Sequence, residues 1–326
     1  MYLVNGFYES IFARSYYMLN SQRDVCAVIV SFQPDLFNLS NLIKALASQV
    51  NKIILVDNGS DVDILRWKQH EFLQELKLEL IVLGENLGVG AAQNVGINKA
   101  KNYNGKYVIL FDQDSEPASN MIMTLFIAAQ KKMEEGVRVA AVGACYCDQN
   151  TTKKSGFVRV SWCGFSRIDC DESDCAVVET DFLISSGTLI LLSVISDVGM
   201  MDESLFIDHI DTEWCFRAKS KGYRLFGSCD AFMTHSLGDS RTRIWFLRWR
   251  TVPHHSPFRY YYIFRNSLIL QSRSYIPIQW KIADVGRCIR SIIFYGLFSA
   301  NRLACLSMMY KGIKDGMQGI NGKLSD

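Results

Sequence analysis

Tyr107-Val108-Ile109-Leu110-Phe111 runs directly into Asp112-Gln113-Asp114, and the rest of the chain is understood from that junction. Five consecutive apolar residues read as a strand buried on both faces. The strand ends in two carboxylates one residue apart. Carboxylate oxygens are the ligands that hard divalent cations such as Mg2+ or Mn2+ prefer. A cation held there would clamp a diphosphate and neutralise charge on a leaving group. A D-x-D tripeptide is expected about once by chance in a chain of this length, so the surrounding elements decide what it means.

Upstream, residues 25–30, 52–56 and 78–83 form three more apolar strand candidates. Between them lie helical patterns at 37–50, with Leu39, Leu42, Ile43, Leu46 and Val50 on one face, at 61–76, and at 90–100, the last entered through glycine. Downstream come a long helix at 119–135 and another strand at 139–145. Apolar strands alternating with helices predict an α/β fold: a Rossmann-like, mostly parallel central sheet with helices on both faces, and ligands beyond the C-terminal strand ends. Residues 146–180 are polar with short alternating pieces, as in a small antiparallel addition. Helical patterns return at 191–198, in the second half of 202–222 and over 278–317.

The bulk properties limit the alternatives. At 326 residues, 49% of them hydrophobic, the chain suits one large domain with an appendage. The ten cysteines have no zinc-site spacing and read as reduced thiols of a cytoplasmic protein. No signal-peptide pattern and no run of eighteen apolar residues is present, so neither secretion nor a spanning helix is expected. The net charge of +2 conceals an asymmetry: residues 241–326 hold fourteen Lys/Arg against three Asp/Glu. Interleaved with Trp245, Phe246, Trp249, Phe258, Tyr260, Tyr261 and Tyr262, that charge suits an anionic membrane surface. No nucleic-acid motif is visible, so nucleic acid is not the expected partner. The expected division is an N-terminal extension over 1–24, a catalytic domain over 25–240 (nucleotide half 25–115, acceptor half 116–240), and a basic aromatic helical region over 241–326.

Polar residues cluster where the strands end. The first ends in Ser31-Phe32-Gln33-Pro34-Asp35, the second in Asp57-Asn58-Gly59-Ser60. An aspartate there can accept hydrogen bonds from a base or ribose, or it can build a turn. Between Glu85 and Gly96, small residues allow close backbone approach, and Asn94 can read a base or sugar. Gly88-Val89-Gly90 opens a helix that could cradle phosphate, although the lysine-containing phosphate loop is absent.

Taken in order, these blocks resemble the family 2 inverting glycosyltransferases of the GT-A fold. The resemblance spans about residues 25–320 and continues through Ser185-Ser186-Gly187, Met201-Asp202-Glu203, Phe206-Ile207-Asp208, Asp211-Thr212-Glu213-Trp214, His235-Ser236-Leu237-Gly238 and Arg259-Tyr260-Tyr261 to Arg265-Asn266. The last blocks look most like bacterial rhamnosyltransferases of O-antigen and capsule assembly. The resemblance implies a nucleotide-sugar site of Ser31, Pro34, Asp57, Asn58, Asn86, Gly88, Asn94, Asp112, Gln113 and Gly187. It implies a divalent metal (Mg2+ or Mn2+) at Asp112, Asp114 and His235, with Asp114 the direct ligand. Asp211 becomes the general base, with Asp208 and Glu213 as alternatives, since many relatives carry Glu-Asp where this chain has Ile210-Asp211. Ser186, Asp208, Glu213, Trp214, Arg259 and Arg265 stand as acceptor-side candidates, and Arg259 and Arg265 could equally pack a helix. His235 could equally be a core histidine. The implied donor is dTDP-L-rhamnose and the implied acceptor a lipid-linked saccharide at the inner face of the cytoplasmic membrane, with oligomerisation possible. UDP-galactose or UDP-glucose is the alternative donor. A sugar nucleotidyltransferase is disfavoured because Ser31–Asp35 lacks a glycine-rich basic loop.

Overall fold

The computed structural model describes residues 23–70, 77–103, 105–147, 154–170, 175–234, 240–246, 248–254, 256–299 and 301–324. Strands β1 (Val25–Ser31), β2 (Lys52–Asp57), β3 (Leu78–Val82) and β4 (Tyr107–Asp112) lie in the order β3-β2-β1-β4, all parallel. β1 shows why such strands are apolar throughout. Cys26, Val28 and Val30 enter one core cluster, and Val25, Ala27 and Ile29 enter the other. With both faces buried, the two-residue alternation leaves no polar position until the strand ends. Helices α1 (Leu36–Ala47), α2 (Ile64–His70), α3 (Val89–Ala100) and α4 (Met121–Glu134) occupy the connections. α1 and α4 pack on one face, α3 on the other. Asp35 caps α1, its Oδ1 accepting the Asn38 N–H at 2.9 Å.

The sheet continues from β4 through β10 (Thr188–Leu191) to β6 (Val139–Cys147) and β11 (Arg224–Thr234), with β5 (Glu116–Pro117) and β9 (Val177–Thr180) paired to β11. β10 is antiparallel to both its neighbours, whereas β6 and β11 are parallel. β7 (Phe157–Ser161) and β8 (Gly164–Ile168) form a separate hairpin, the expected antiparallel addition. Helices α5 (Leu192–Val198) and α6 (Ile210–Ser220) complete the second face. β10 and β11 escape sequence patterning for local reasons. β10 has four residues and runs straight into α5, and Gly227, Cys229 and Asp230 interrupt the apolar pattern of β11.

Three expectations are corrected. The region beginning at residue 241 starts not with a helix but with a hairpin of β12 (Ser240–Phe246) and β13 (Arg248–His254). Arg at alternate positions among β-branched and aromatic residues fits a strand better than a helix. The helix expected over 61–76 covers Ile64–His70, and residues 71–76 lie outside the described ones. The cysteines are not all free thiols: Cys170 and Cys229 form a disulfide that ties the segment after β8 to β11.

The remainder is helical: α7 (Pro257–Ser272), α8 (Ile278–Phe298) and α9 (Arg302–Met317). α9 lies tight on α7 because residue 312 is glycine; a Cβ there would sit 2.4 Å from the Tyr261 carbonyl oxygen. Among the described residues no helix is long and apolar enough to cross a membrane.

Candidate active site

The strand ends β1, β2 and β4 converge through side-chain hydrogen bonds. Buried Asp57 accepts from Ser31 Oγ (3.2 Å), Ser60 Oγ (2.6 Å) and Ser60 N–H (3.0 Å). The Gln33 N–H donates to Ser60 Oγ at 2.9 Å, and Phe32 N–H to Gln113 Oε1 at 2.7 Å, so Gln113 joins the end of β4 to that of β1. Pro34 is buried at the turn into α1. Asn58 donates to Asn86 Oδ1 (3.1 Å) and accepts from Leu87 N–H (3.0 Å), and Asn86 Oδ1 accepts from Gly88 N–H (3.0 Å). Asp57 and Asn58 therefore do build the turn, and through it they set the loop over 84–88. Gln33 and Ser60 were missed in the sequence. Their signal was position alone, as polar residues two and three places past a buried strand.

Asn94 does not join this group. Its amide bridges Met201 N–H and C=O, both at 2.9 Å, and donates to Glu203 Oε1 at 2.7 Å. It serves to hold the segment after α5 against α3. Gly88, at φ +91°, meets that same segment, since a Cβ would lie 2.7 Å from the Phe206 carbonyl oxygen. The next residue, Val89, donates its N–H to that oxygen at 2.7 Å.

The bridge between the two carboxylate groups is Ser185-Ser186-Gly187. Asp112 N–H donates to Ser186 Oγ at 3.2 Å, Ser186 and Ser115 hydroxyls lie 2.7 Å apart, and Gly187 N–H donates to Leu110 C=O at 2.8 Å. The Ser185 N–H in turn reaches Asp211 in the first turn of α6. The Asp211 carboxyl is pushed up to about 6, chiefly by burial. The Thr212 N–H, 2.7 Å from Oδ1, offsets part of this, and the negative charges of Asp208 and Asp112 add to the rise. A carboxylate poised there is suited to take a proton near neutral pH.

The alternatives to Asp211 are occupied. Glu213 is fully buried, bonded through both oxygens to Arg217 (2.8 Å each) and to the Tyr275 hydroxyl. Asp208 is held in a two-pronged pair by Arg259, with contacts of 3.0 to 3.2 Å. His209 is half-buried and pushed down to about 4, mainly by desolvation and then by Arg287, so it stays neutral. Trp214 points inward, donating Nε1–H to Gly199 C=O at 2.9 Å. Arg265 is fully buried, its guanidinium on the carbonyls of Leu205 (2.9 Å) and Gly322 (2.5 Å). Glu213, Trp214 and Arg265, expected on the acceptor side, instead brace the site from behind. Asn266 Nδ2 donates to the carbonyls of Leu205, Ile207 and Asp208 at 2.7 to 2.9 Å.

Asp112 and Asp114 stand partly exposed at the end of β4. His235, the third expected metal ligand, lies outside the described residues, among which no group of three ligand side chains gathers. The donor set still fits Mg2+ or Mn2+, which needs only one or two carboxylates when substrate phosphates and water complete the shell.

The α/β sheet thus carries a carboxylate pair at the end of β4, linked through Ser185–Gly187 to an aspartate with a raised pKa. Residues 27–181 match the family model described as glycosyl transferase family 2. Over 303 residues, 92% of this chain and 97% of the relative, the sequence is 32% identical to the dTDP-rhamnosyl transferase RfbF of Shigella flexneri. The chain belongs to the family 2 glycosyltransferases. In fold it is similar to the crystal structure of GalNAc-T7 with UDP, GalNAc and Mn2+ (TM-score 0.56, 15% identity), covering 86% of this chain and 58% of that one. It is equally similar to S. aureus TarS 1-349 in complex with UDP-GlcNAc (TM-score 0.56, 14% identity), covering 91% and 81%. Both are GT-A glycosyltransferases, and the architecture here is the same.

Proposed function

We propose that the chain transfers L-rhamnose, with inversion, from dTDP-L-rhamnose to a lipid-linked saccharide during O-antigen or capsule synthesis. The observation that carries this reading is Asp211, held beside Asp112 through Ser185–Gly187 with its carboxyl raised toward neutrality. Asp211 accepts the proton of the acceptor hydroxyl as that oxygen bonds to the sugar C1. The bond from C1 to the diphosphate oxygen breaks on the opposite side, and its electron pair leaves with dTDP. Asp57, Asn58 and the loop they set form the wall against which the nucleotide lies. Asp114, with Asp112, would hold Mg2+ or Mn2+, which neutralises diphosphate charge when bound. The choice of rhamnose rests on the likeness to RfbF.

Membrane placement is part of the proposal. Ile278, Ile282, Val285, Ile289, Ile293 and Leu297 are all exposed, and their spacing puts them on one face of α8. Exposed Arg290, Arg302 and Lys314 lie on α8 and α9. Such a helix lies flat in an anionic interface, here the inner face of the cytoplasmic membrane.

The test is a donor screen with purified protein, Mg2+ or Mn2+, and a panel of nucleotide sugars, reading hydrolysis and transfer. dTDP-L-rhamnose is expected to turn over fastest. Turnover of UDP-galactose or UDP-glucose with none of dTDP-L-rhamnose would overturn the donor assignment.

A further inference from the structure

A cleft of about 370 Å³ opens between the β7–β8 hairpin, the N-terminal turn of α6 and the inner face of α8. Its wall includes Asp208, His209 and Thr212, the residues that flank Asp211 in the chain. We infer that this cleft is the subsite for the acceptor's saccharide, and that it takes an uncharged sugar ring. The inference rests on the transferase reading for the identity of the reaction, but the cleft has chemistry of its own.

Aromatic rings dominate one side. Phe165, on the hairpin, packs edge-on to Phe182 at 6.3 Å between ring centres, and Phe182, Phe216 and Trp280 follow in steps of 6.1 and 6.0 Å. The C–H-rich face of a pyranose packs on such rings, whose faces carry partial negative charge. Phe165 is 39% exposed, so its ring is open to a ligand.

The polar side is Asp284. It is 1% exposed and lines the cleft. Its Oδ1 accepts from Arg287 Nε (2.9 Å) and Nη2 (2.6 Å), while Oδ2 is buried and has no hydrogen-bond partner among the described residues. A buried carboxylate oxygen left without a donor costs free energy. A sugar hydroxyl in the cleft supplies that donor. The charges that line the cleft are already balanced. Asp284 is paired with Arg287 and Asp208 with Arg259, and Arg287 Nη2 also contacts Ser267 and His209. Among the described residues that line the cleft no cation is left over for a phosphate, which favours a neutral ring.

Placement agrees with a lipid-linked substrate. Trp280, Asp284 and Arg287, at spacings of four and three, face the cleft, while the exposed aliphatic row from Ile278 to Leu297 takes the opposite face of the same helix. The saccharide would sit about one helix diameter, roughly 10 Å, from the lipid surface. The tether would pass over α8.

The experiment uses the full chain and a panel of methyl glycosides and disaccharides of rhamnose, glucose, galactose, mannose and N-acetylglucosamine. Binding is read by saturation-transfer NMR with and without dTDP, for the wild type, Phe165→Ala and Asp284→Asn. At least one sugar is expected to bind the wild type, and both variants to weaken it about tenfold. Phe165 is partly exposed on a hairpin, so its variant remains informative should Asp284→Asn fold poorly. Sugar binding that both variants leave unchanged, or no binding by any sugar, overturns the subsite. Titration with dTDP alone separates the two readings. Sugar binding lost on substitution in a protein that does not bind dTDP supports the cleft and removes the donor assignment. dTDP binding without any sugar binding removes the cleft alone.

Discussion

Two sides of the active site obtain their shape in different ways. The proposed donor side is the set of strand ends of β1, β2 and β4, where Asp57 is held by Ser31 and Ser60, and the Phe32 amide donates to Gln113. The sheet register places these groups, and short hydrogen bonds finish them. The proposed acceptor side is the loop from Asp202 to His209, in which Phe206, Asp208 and His209 all take φ near +63°. Such conformations cost about 1–3 kcal/mol each for residues other than glycine. They persist because α7 grips the loop: Arg259 on the Asp208 carboxylate, Arg265 and Asn266 on its carbonyls. The sheet-built side carries one such residue, Gln33 at φ +48°, whereas the other carries three within four positions and depends on a helix some sixty residues further along. The Phe206 carbonyl, which accepts the Val89 amide, joins the two.

The largest effect is expected at the boundary between the two sides. Asp211→Asn is expected to lower transfer by about 10²–10⁴-fold while dTDP still binds. A wild-type rate would move the base elsewhere. Asp114→Ala is expected to lose metal-stimulated turnover, and full activity in that variant would end its metal role. In the wild type the acidic limb of transfer is expected to fall near pH 6, where Asp211 takes up its proton. The same shift makes a stability prediction of opposite sign. Because the folded-state pKa lies above the unfolded value, stability from protonated Asp211 is complete below about pH 4 and is lost as pH rises through about 6. In EDTA, Asp211→Asn is therefore expected to melt higher than wild type above pH 6, by up to about 2 kcal/mol, with the gap closing toward pH 4. An unchanged melting temperature at pH 8 would contradict the buried, electrostatically crowded setting of the carboxylate.

A smaller effect is expected at the clamp. Asn266→Ala leaves the carbonyls of Leu205, Ile207 and Asp208 without their shared donor. Thermal unfolding should report a loss of about 2–3 kcal/mol, and kcat should fall because the loop also carries the N-terminal turn of α6. Ser60→Ala on the donor side is expected to cost about 1 kcal/mol and to raise the donor KM more than it lowers kcat. Equal stability losses for the two variants would erase the distinction between a sheet-built side and a helix-held one.

The strand ends were legible in the sequence because their signal is local. An apolar run that stops at Asp57 or Asp112 marks both the strand and the end where ligands bind. The acceptor side was harder to see. Asp211 and Glu213 are two acids in one helical turn, and only the pairing of Glu213 with Arg217 and Tyr275 separates them. Half of that was present as the four-residue spacing of Glu213 and Arg217, a helix ion-pair pattern. Tyr275 was not foreseeable, nor was the Asn266 clamp, because each reaches its target across about sixty residues of sequence. The hairpin of β12 and β13 is less legible for another reason: its dense basic and aromatic content masks its two-residue alternation.

The smallest effects are expected on the outer face of α8, and there the contrast becomes one between two faces of a single helix. Trp280, Asp284 and Arg287 are committed inward, so substitutions among them disturb the cleft. Ile282 and Ile289 touch solvent, and their replacement should leave the fold intact. If this face lies in an interface, each Ile→Ser change removes about 1 kcal/mol of partial burial. That is roughly a fivefold loss in partitioning to anionic vesicles, with the double variant falling about twenty-five-fold and both weakened by salt. Sedimentation with vesicles of mixed anionic and neutral lipid measures this directly, and donor hydrolysis in solution provides the control for folding. Unchanged sedimentation of the double variant would take the membrane away from α8 while leaving the chemistry at Asp211 untouched. A loss in both assays would mean instead that the outer face of α8 supports the clamp on the 202–209 loop.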